Sequence, residues 1–161
     1  MEERGITLVA CSRESASLRI EIVQLDPSFP IPRQAKHGDA GYDLISTVSA
    51  TIPPAGGRVT LPTGIAIAIP EGFAGFVLPR SGLAARHGIT CVNAPGLIDS
   101  GFRDEISVIL ANTDQVREYA VQRGDRIAQL VIQRVESVEW VEVPALPESD
   151  RGTGGFGSTG R

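Results

Sequence analysis

The run Gly64-Ile65-Ala66-Ile67-Ala68-Ile69 decides the fold class. Larger and smaller apolar residues alternate in it with the two-residue period of a strand. Outward from it, Leu18–Leu25 alternates in the same way, as Leu-Arg-Ile-Glu-Ile-Val-Gln-Leu. Arg58–Leu61, Gly72–Leu78, Ile106–Asn112, Ile127–Val135 and Ser137–Val143 read as further strands. The 18 glycines and 11 prolines punctuate these segments. Many short strands separated by turn signals argue for an all-β sandwich or barrel. Gly82–His87, after Pro79, has room for one short helix, and no long 3.6-residue period occurs elsewhere. Residues 1–17 show no clear pattern and read as a flexible N-terminal extension. Pro144 and Pro147 end the last strand and open a tail rich in Gly, Ser and Thr, expected to be mobile.

The chain has 161 residues, of which 42% are hydrophobic and 21% charged, enough for one domain with a real core. A net charge of -4 argues against a dominant nucleic-acid surface. The longest apolar runs are strand-sized, so no membrane-spanning helix is expected, and Ile6–Cys11 is too short for a secretory signal. Cys11 and Cys91 lack metal-site spacing. Cys91, inside the run Ile89–Val92, reads as a small buried residue. A reducing compartment, the cytoplasm, fits these features.

Five segments carry chemistry. Gly96-Leu97-Ile98-Asp99-Ser100-Gly101-Phe102-Arg103-Asp104-Glu105-Ile106 reads as a β-hairpin. An acid beside a turn either solvates the turn or, held rigidly at a pocket edge, orients and deprotonates water. Pro79-Arg80-Ser81-Gly82-Leu83-Ala84 follows an apolar strand, and an arginine there can grip a phosphate or simply face solvent. Arg123-Gly124-Asp125-Arg126-Ile127-Ala128-Gln129-Leu130 is a turn into a strand. In it Gln129 can donate an amide hydrogen bond, and Asp125 is expected to pair with a nearby arginine. Asp39-Ala40-Gly41-Tyr42-Asp43-Leu44 places Asp43 in a turn before a strand, where a lone carboxylate suffices to contact a hydrated Mg²⁺. Finally, Arg151-Gly152-Thr153-Gly154-Gly155-Phe156-Gly157-Ser158-Thr159-Gly160-Arg161 offers backbone N–H groups, hydroxyls and guanidinium forks to phosphates, with one aromatic ring able to stack on a base.

These segments, in this order and at these separations, resemble the trimeric deoxyuridine triphosphatase (dUTPase) family from about Leu18 to Arg161. The resemblance implies a distorted jelly roll (β-clip) with one short helix and a flexible C-terminal arm. It divides the chain into an extension over 1–17, a β-barrel domain over 18–143 and a mobile arm over 144–161. It implies a homotrimer whose active sites are shared between subunits, and hydrolysis of dUTP to dUMP and pyrophosphate with Mg²⁺. That reaction limits uracil incorporation into DNA and supplies dUMP for dTMP synthesis. Carried over by position, Asp99 is the general base for water attacking the α-phosphate, and Asp43 holds Mg²⁺-bound water. Arg80, Ser81, Gly82 and Gln129 bind phosphates. Asn93, Gly96, Leu97, Ile98 and Ser107 line the uracil pocket, and Arg151, Phe156, Gly157 and Ser158 form a lid. Phe102 stands where the family commonly has Tyr, keeping the ring that packs on the deoxyribose and losing its hydroxyl.

Two rivals share parts of this pattern. A dCTP deaminase has the same fold and uses a Glu in the hairpin region, and Glu105 lies near. A catalytically idle nucleotide-binding trimer would be marked by a lost Asp99 or a lost tail, and both are present.

Overall fold

The computed structural model describes residues 17–153. The expected N-terminal extension therefore falls almost wholly outside the described residues, as do Phe156, Gly157 and Ser158. The alternating run of the opening stretch forms β5 (Ile65–Ala68), which pairs antiparallel with β1 (Glu21–Gln24), Ile67 opposite Ile22. The central sheet has four antiparallel strands in the order β2 (Tyr42–Ile45), β11 (Arg126–Arg134), β6 (Phe73–Pro79) and β8 (Gly96–Ile98). A three-stranded sheet sets β9 (Ser107–Asn112) between β4 (Arg58–Pro62) and β7 (Ile89–Cys91). A fourth sheet pairs β3 (Ala50–Ile52) with β10 (Tyr119–Val121). The only helix among the described residues is α1 (Ser81–His87). It is closed by Gly88 at φ 65, whose N–H reaches back to the carbonyl of Ala84. Glycine adopts that left-handed conformation without the Cβ penalty, so the chain turns there into β7.

The sheets bury one continuous core in which Leu44, Ile52, Leu61 and Ile106 are fully enclosed and Val108, Leu110 and Val121 nearly so. Each such side chain contributes about 1.5–3 kcal/mol of transfer free energy. The buried polar groups are satisfied, as burial demands. Asn112 donates to the carbonyls of Ile52 and Arg117 and accepts from the N–H of Asp114, and Thr63 donates to the carbonyl of Ile106. Cys91 is buried as expected, and burial pushes its thiol up to about 11.

Asp43, read as lying in a turn before a strand, is inside β2, and Asp125, expected to pair with an arginine, accepts instead from the Gln122 N–H and is in none of the arginine ion pairs among the described residues. Two larger expectations fail as well. The strand read over 137–143 does not form. That stretch has no regular structure, and Val138, Trp140 and Val141 are 64%, 90% and 75% exposed. Its apolar side chains can hold a strand only against surfaces that bury them, and none among the described residues covers Val138, Trp140 or Val141. The hairpin read over 96–106 is also absent as such. β8 pairs with β6 while β9 pairs with β4 and β7, so the turn at Asp99–Phe102 links two different sheets.

Candidate active site

The central sheet builds a polar cavity of about 480 Å³ at the C-terminal end of β6. Side chains opposite one another in antiparallel strands share a face. Asp43 of β2 lies opposite Gln129 of β11, and Gln129 lies opposite Leu78 of β6, so all three look into this space. Gly41 and Val131, two residues away, extend the same face. Arg80, Ser81 and Gly82 close the cavity where β6 runs into α1. The three segments around Asp43, Arg80 and Gln129, scattered in sequence, therefore meet at one place.

Charge organises the site. Arg80 Nε donates to Asp43 Oδ1 at 3.0 Å, and Arg126 Nη1 donates to Asp43 Oδ2 at 3.1 Å. Arg80 Nη1 also donates to the carbonyl of Arg126 at 3.1 Å, which closes a triangle. Pairs this accessible to water contribute at most about 1 kcal/mol to stability. Their larger effect is to fix where the guanidinium of Arg80 and the carboxylate of Asp43 sit. Gln129 donates from Nε2 to the carbonyl of Pro79 at 3.1 Å. Gly41 is required by close approach, because a Cβ there would stand 2.7 Å from Gln129 Oε1. Among the described residues no cluster of three or more His, Cys, Asp or Glu side chains is placed to hold a metal ion, and Asp43 is the carboxylate ion-paired with both Arg80 and Arg126.

The Asp99 turn lies elsewhere. Ile98 pairs with Gly75 and Gly96 with Val77, so Asp99 continues toward the level of Ala74. Arg80 is six residues further along β6, about 20 Å away at the rise of a strand. Asp99 is exposed and lines none of the cavity around Arg80. The turn is locally rigid. The Phe102 N–H donates to the Asp99 carbonyl at 3.1 Å, and Arg103 Nη1 donates to the carbonyls of Ser100 and Phe102 at 2.6 and 2.7 Å. Gly96 is buried against Asn93 and Val77, Leu97 is 57% exposed, Ile98 is partly buried, and Phe102 is 39% exposed. Ser107 stands opposite Pro62 in the neighbouring sheet. Glu105 is engaged structurally, its Oε1 accepting from the Gly64 N–H at 2.7 Å. Arg151 lies among the described residues in an exposed turn.

Arg126 was missed by sequence reasoning. Arg123-Gly124-Asp125-Arg126 reads as a turn, and no periodicity announces which way the side chain of Arg126 points.

Antiparallel sheets, one short helix among the described residues and an arginine-lined cavity at the end of a central strand define an all-β protein of distorted jelly-roll type. Its dUTPase family model matches residues 27–160. The deoxyuridine 5'-triphosphate nucleotidohydrolase of Thermobifida fusca (strain YX) is 58% identical over 144 residues, covering 89% of this chain and 80% of that one. The one of Corynebacterium glutamicum is 54% identical over 142 residues, covering 88% and 95%. Among solved structures, the Staphylococcus bacteriophage 80alpha dUTPase with dUPNHPP is similar at a TM-score of 0.83 and 25% identity, over 90% of this chain and 100% of that one. The chain belongs to the dUTPase family.

Proposed function

We propose that this protein hydrolyses dUTP to dUMP and pyrophosphate, with Asp99 activating water at the α-phosphate. The cavity that gathers Asp43, Arg80, Ser81, Gly82 and Gln129 carries the reading, because it offers cationic and amide donors at a spacing suited to a chain of phosphates. Relatives named deoxyuridine 5'-triphosphate nucleotidohydrolase over most of this chain support the substrate. Asn93, Gly96, Leu97, Ile98 and Ser107 line the uracil pocket, where backbone groups of a rigid turn read the donor and acceptor pattern of the base edge. Mispairing a site built for specific hydrogen bonds discriminates strongly, since its own groups are left unsatisfied. Phe102 supplies the wall for the deoxyribose. Arg151, Phe156, Gly157 and Ser158 close over the nucleotide.

The donor set fits Mg²⁺ held mainly by the substrate. Two acidic residues, Asp43 and Asp39, line the cavity, Asp39 being held by the Lys36 N–H, and Mg²⁺ beside a polyphosphate keeps several waters and takes few protein ligands. A carboxylate has about four lone-pair positions, so Asp43 can accept from metal-bound water while still holding arginine. When bound, the metal neutralises phosphate charge. A phage φ11 dUTPase structure, related in fold, is described with a structural Mg(II) ion.

The assembly we propose is a homotrimer with sites shared between subunits. Two observations support it. Asp99 and Arg80 lie about 20 Å apart along one chain, too far to act on one phosphate group. Val138, Trp140, Val141 and Leu146 leave apolar surface uncovered, the kind of surface a neighbouring subunit buries. The cytoplasm is the proposed setting, in keeping with the free thiol of Cys91. The test is pyrophosphate release from dUTP, dCTP, dTTP and UTP, each with Mg²⁺. Release from dUTP alone is expected. Ammonia release from dCTP, or no turnover of any of the four, would overturn the reading.

A further inference from the structure

We infer that Arg126 is a positioning residue of this active site. It would set the carboxylate of Asp43 and the guanidinium of Arg80 through a β-bulge at Ile127. The inference rests on the function proposed above.

In a regular strand, side chains alternate between faces. Gln129 and Val131 face the cavity, so regular alternation would turn Ile127 toward the cavity and Arg126 toward the core. The opposite is found. Ile127 and Ala128, consecutive residues, are both buried at 2% and 0%, and Arg126 lines the cavity. The pairing with β2 explains the reversal. Gln129 faces Asp43 and Ala128 faces Leu44, but the next partner, Ile45, faces Arg126. Ile127 is thus the extra residue of a bulge, a device that re-aims the side chain beside it.

What the bulge delivers is specific. The Arg126 guanidinium takes the oxygen of Asp43 that Arg80 leaves free, and the Arg126 carbonyl takes the Nη1 of Arg80. One residue thereby grips both members of the Asp43–Arg80 pair, one by its side chain and the other by its backbone. If a triphosphate draws Arg80 toward its oxygens, Asp43 keeps one cationic partner and its orientation. A residue acting this way affects turnover through Asp43, and its contribution disappears once Asp43 has no charge to hold.

The test is a double-mutant cycle on the full chain with Arg126→Gln, Asp43→Asn and the two combined. Arg126→Gln is expected to lower kcat by about tenfold or more, the scale of a slightly misplaced catalytic group, with a smaller change in KM. In the Asp43→Asn background the same change should cost less than about threefold, because coupled residues are non-additive. The cycle is repeated on the Kd of dUpNHpp in metal-free buffer, a readout independent of turnover, with the same non-additivity expected. Arg126→Lys keeps the charge and loses the planar fork, so an intermediate loss is expected. It carries the test should Arg126→Gln not fold. Unchanged kcat in both Arg126 variants, or equal losses with and without Asp43, would overturn the inference while leaving dUTP hydrolysis by the parent chain intact. A parent chain inactive on dUTP would take both down.

Discussion

The two ends of β6 are built differently. At its C-terminal end, Asp43, Arg80 and Arg126 are cross-linked by hydrogen bonds, and Gln129 is tied to the Pro79 carbonyl. Near its N-terminal end, the Asp99 turn is braced only within itself, through Phe102 and Arg103, and presents its carboxylate to solvent. The arginine-lined cavity proposed for the phosphates is built inside one chain, whereas the turn carrying the proposed base stands apart from it. In the proposed homotrimer this difference is a division of labour, each subunit giving the proposed anion cradle to one site and the proposed base to another.

The largest effect that sharpens this contrast is expected from Asp99→Asn. It keeps the shape of the turn and removes the proposed base, and kcat should fall by about a hundredfold to ten-thousandfold. Because the turn is braced by backbone groups, the thermal midpoint should barely move. A variant that unfolds would mean that Asp99 serves the fold. Next comes Gly41→Ala. Its new Cβ would meet Gln129 Oε1 at 2.7 Å. The end of the Gln129 side chain has to swing away and its Cβ, 3.3 Å off, has to shift by a few tenths of an ångström, so stability should fall modestly while kcat/KM falls about tenfold as Gln129 leaves the Pro79 carbonyl. A large drop in stability with unchanged kinetics would contradict the cradle's role.

Much of the framework was legible in the sequence because strand periodicity is a local signal. The Ile65–Ile69 alternation lies on β5, the apolar run after Gly72 became β6, and the short helix after Pro79 is α1. What escaped depends on non-local pairing. The apolar-rich stretch 137–143 looks like a strand, but a strand exists only if a neighbour's edge and face are there to receive it. The 96–106 stretch looks like a hairpin, but its two arms joined different sheets, a choice that Ile106 expresses by inserting fully into the core. The same holds for the site. Asp43, Arg80 and Gln129 were each readable as ligand-binding types, but Arg126 gains its place from a one-residue bulge that no composition or spacing reveals.

Smaller effects probe the sugar wall and the core. Phe102 is partly exposed on the turn, and Phe102→Tyr adds a hydroxyl without moving the ring. The preference for dUTP over UTP should change by less than about tenfold. Greatly improved selectivity would show that the hydroxyl, not the ring, excludes the ribose. Smallest is the titration of Cys91. Its folded thiol is raised from 9.0 to about 11 by burial. The unfolded chain therefore loses this proton first, and the thiol's contribution to stability is present below pH 9 and lost as pH rises toward 11. Denaturant midpoints should fall more steeply over that window in the parent than in Cys91→Ala. Parallel curves would mean that Cys91 is accessible to water.

The central claim is that Arg80 and Asp99 of one site come from different chains, and co-expressing Arg80→Ala with Asp99→Asn tests it most directly. Each variant alone should be nearly inactive. The co-expressed population should regain about a quarter of the parent activity, the share of all sites that draw both intact residues when subunits assemble at random in equal amounts. Mixed oligomers that form and remain as inactive as either variant alone would contradict the account, because the two residues would then have to serve the same site from one chain.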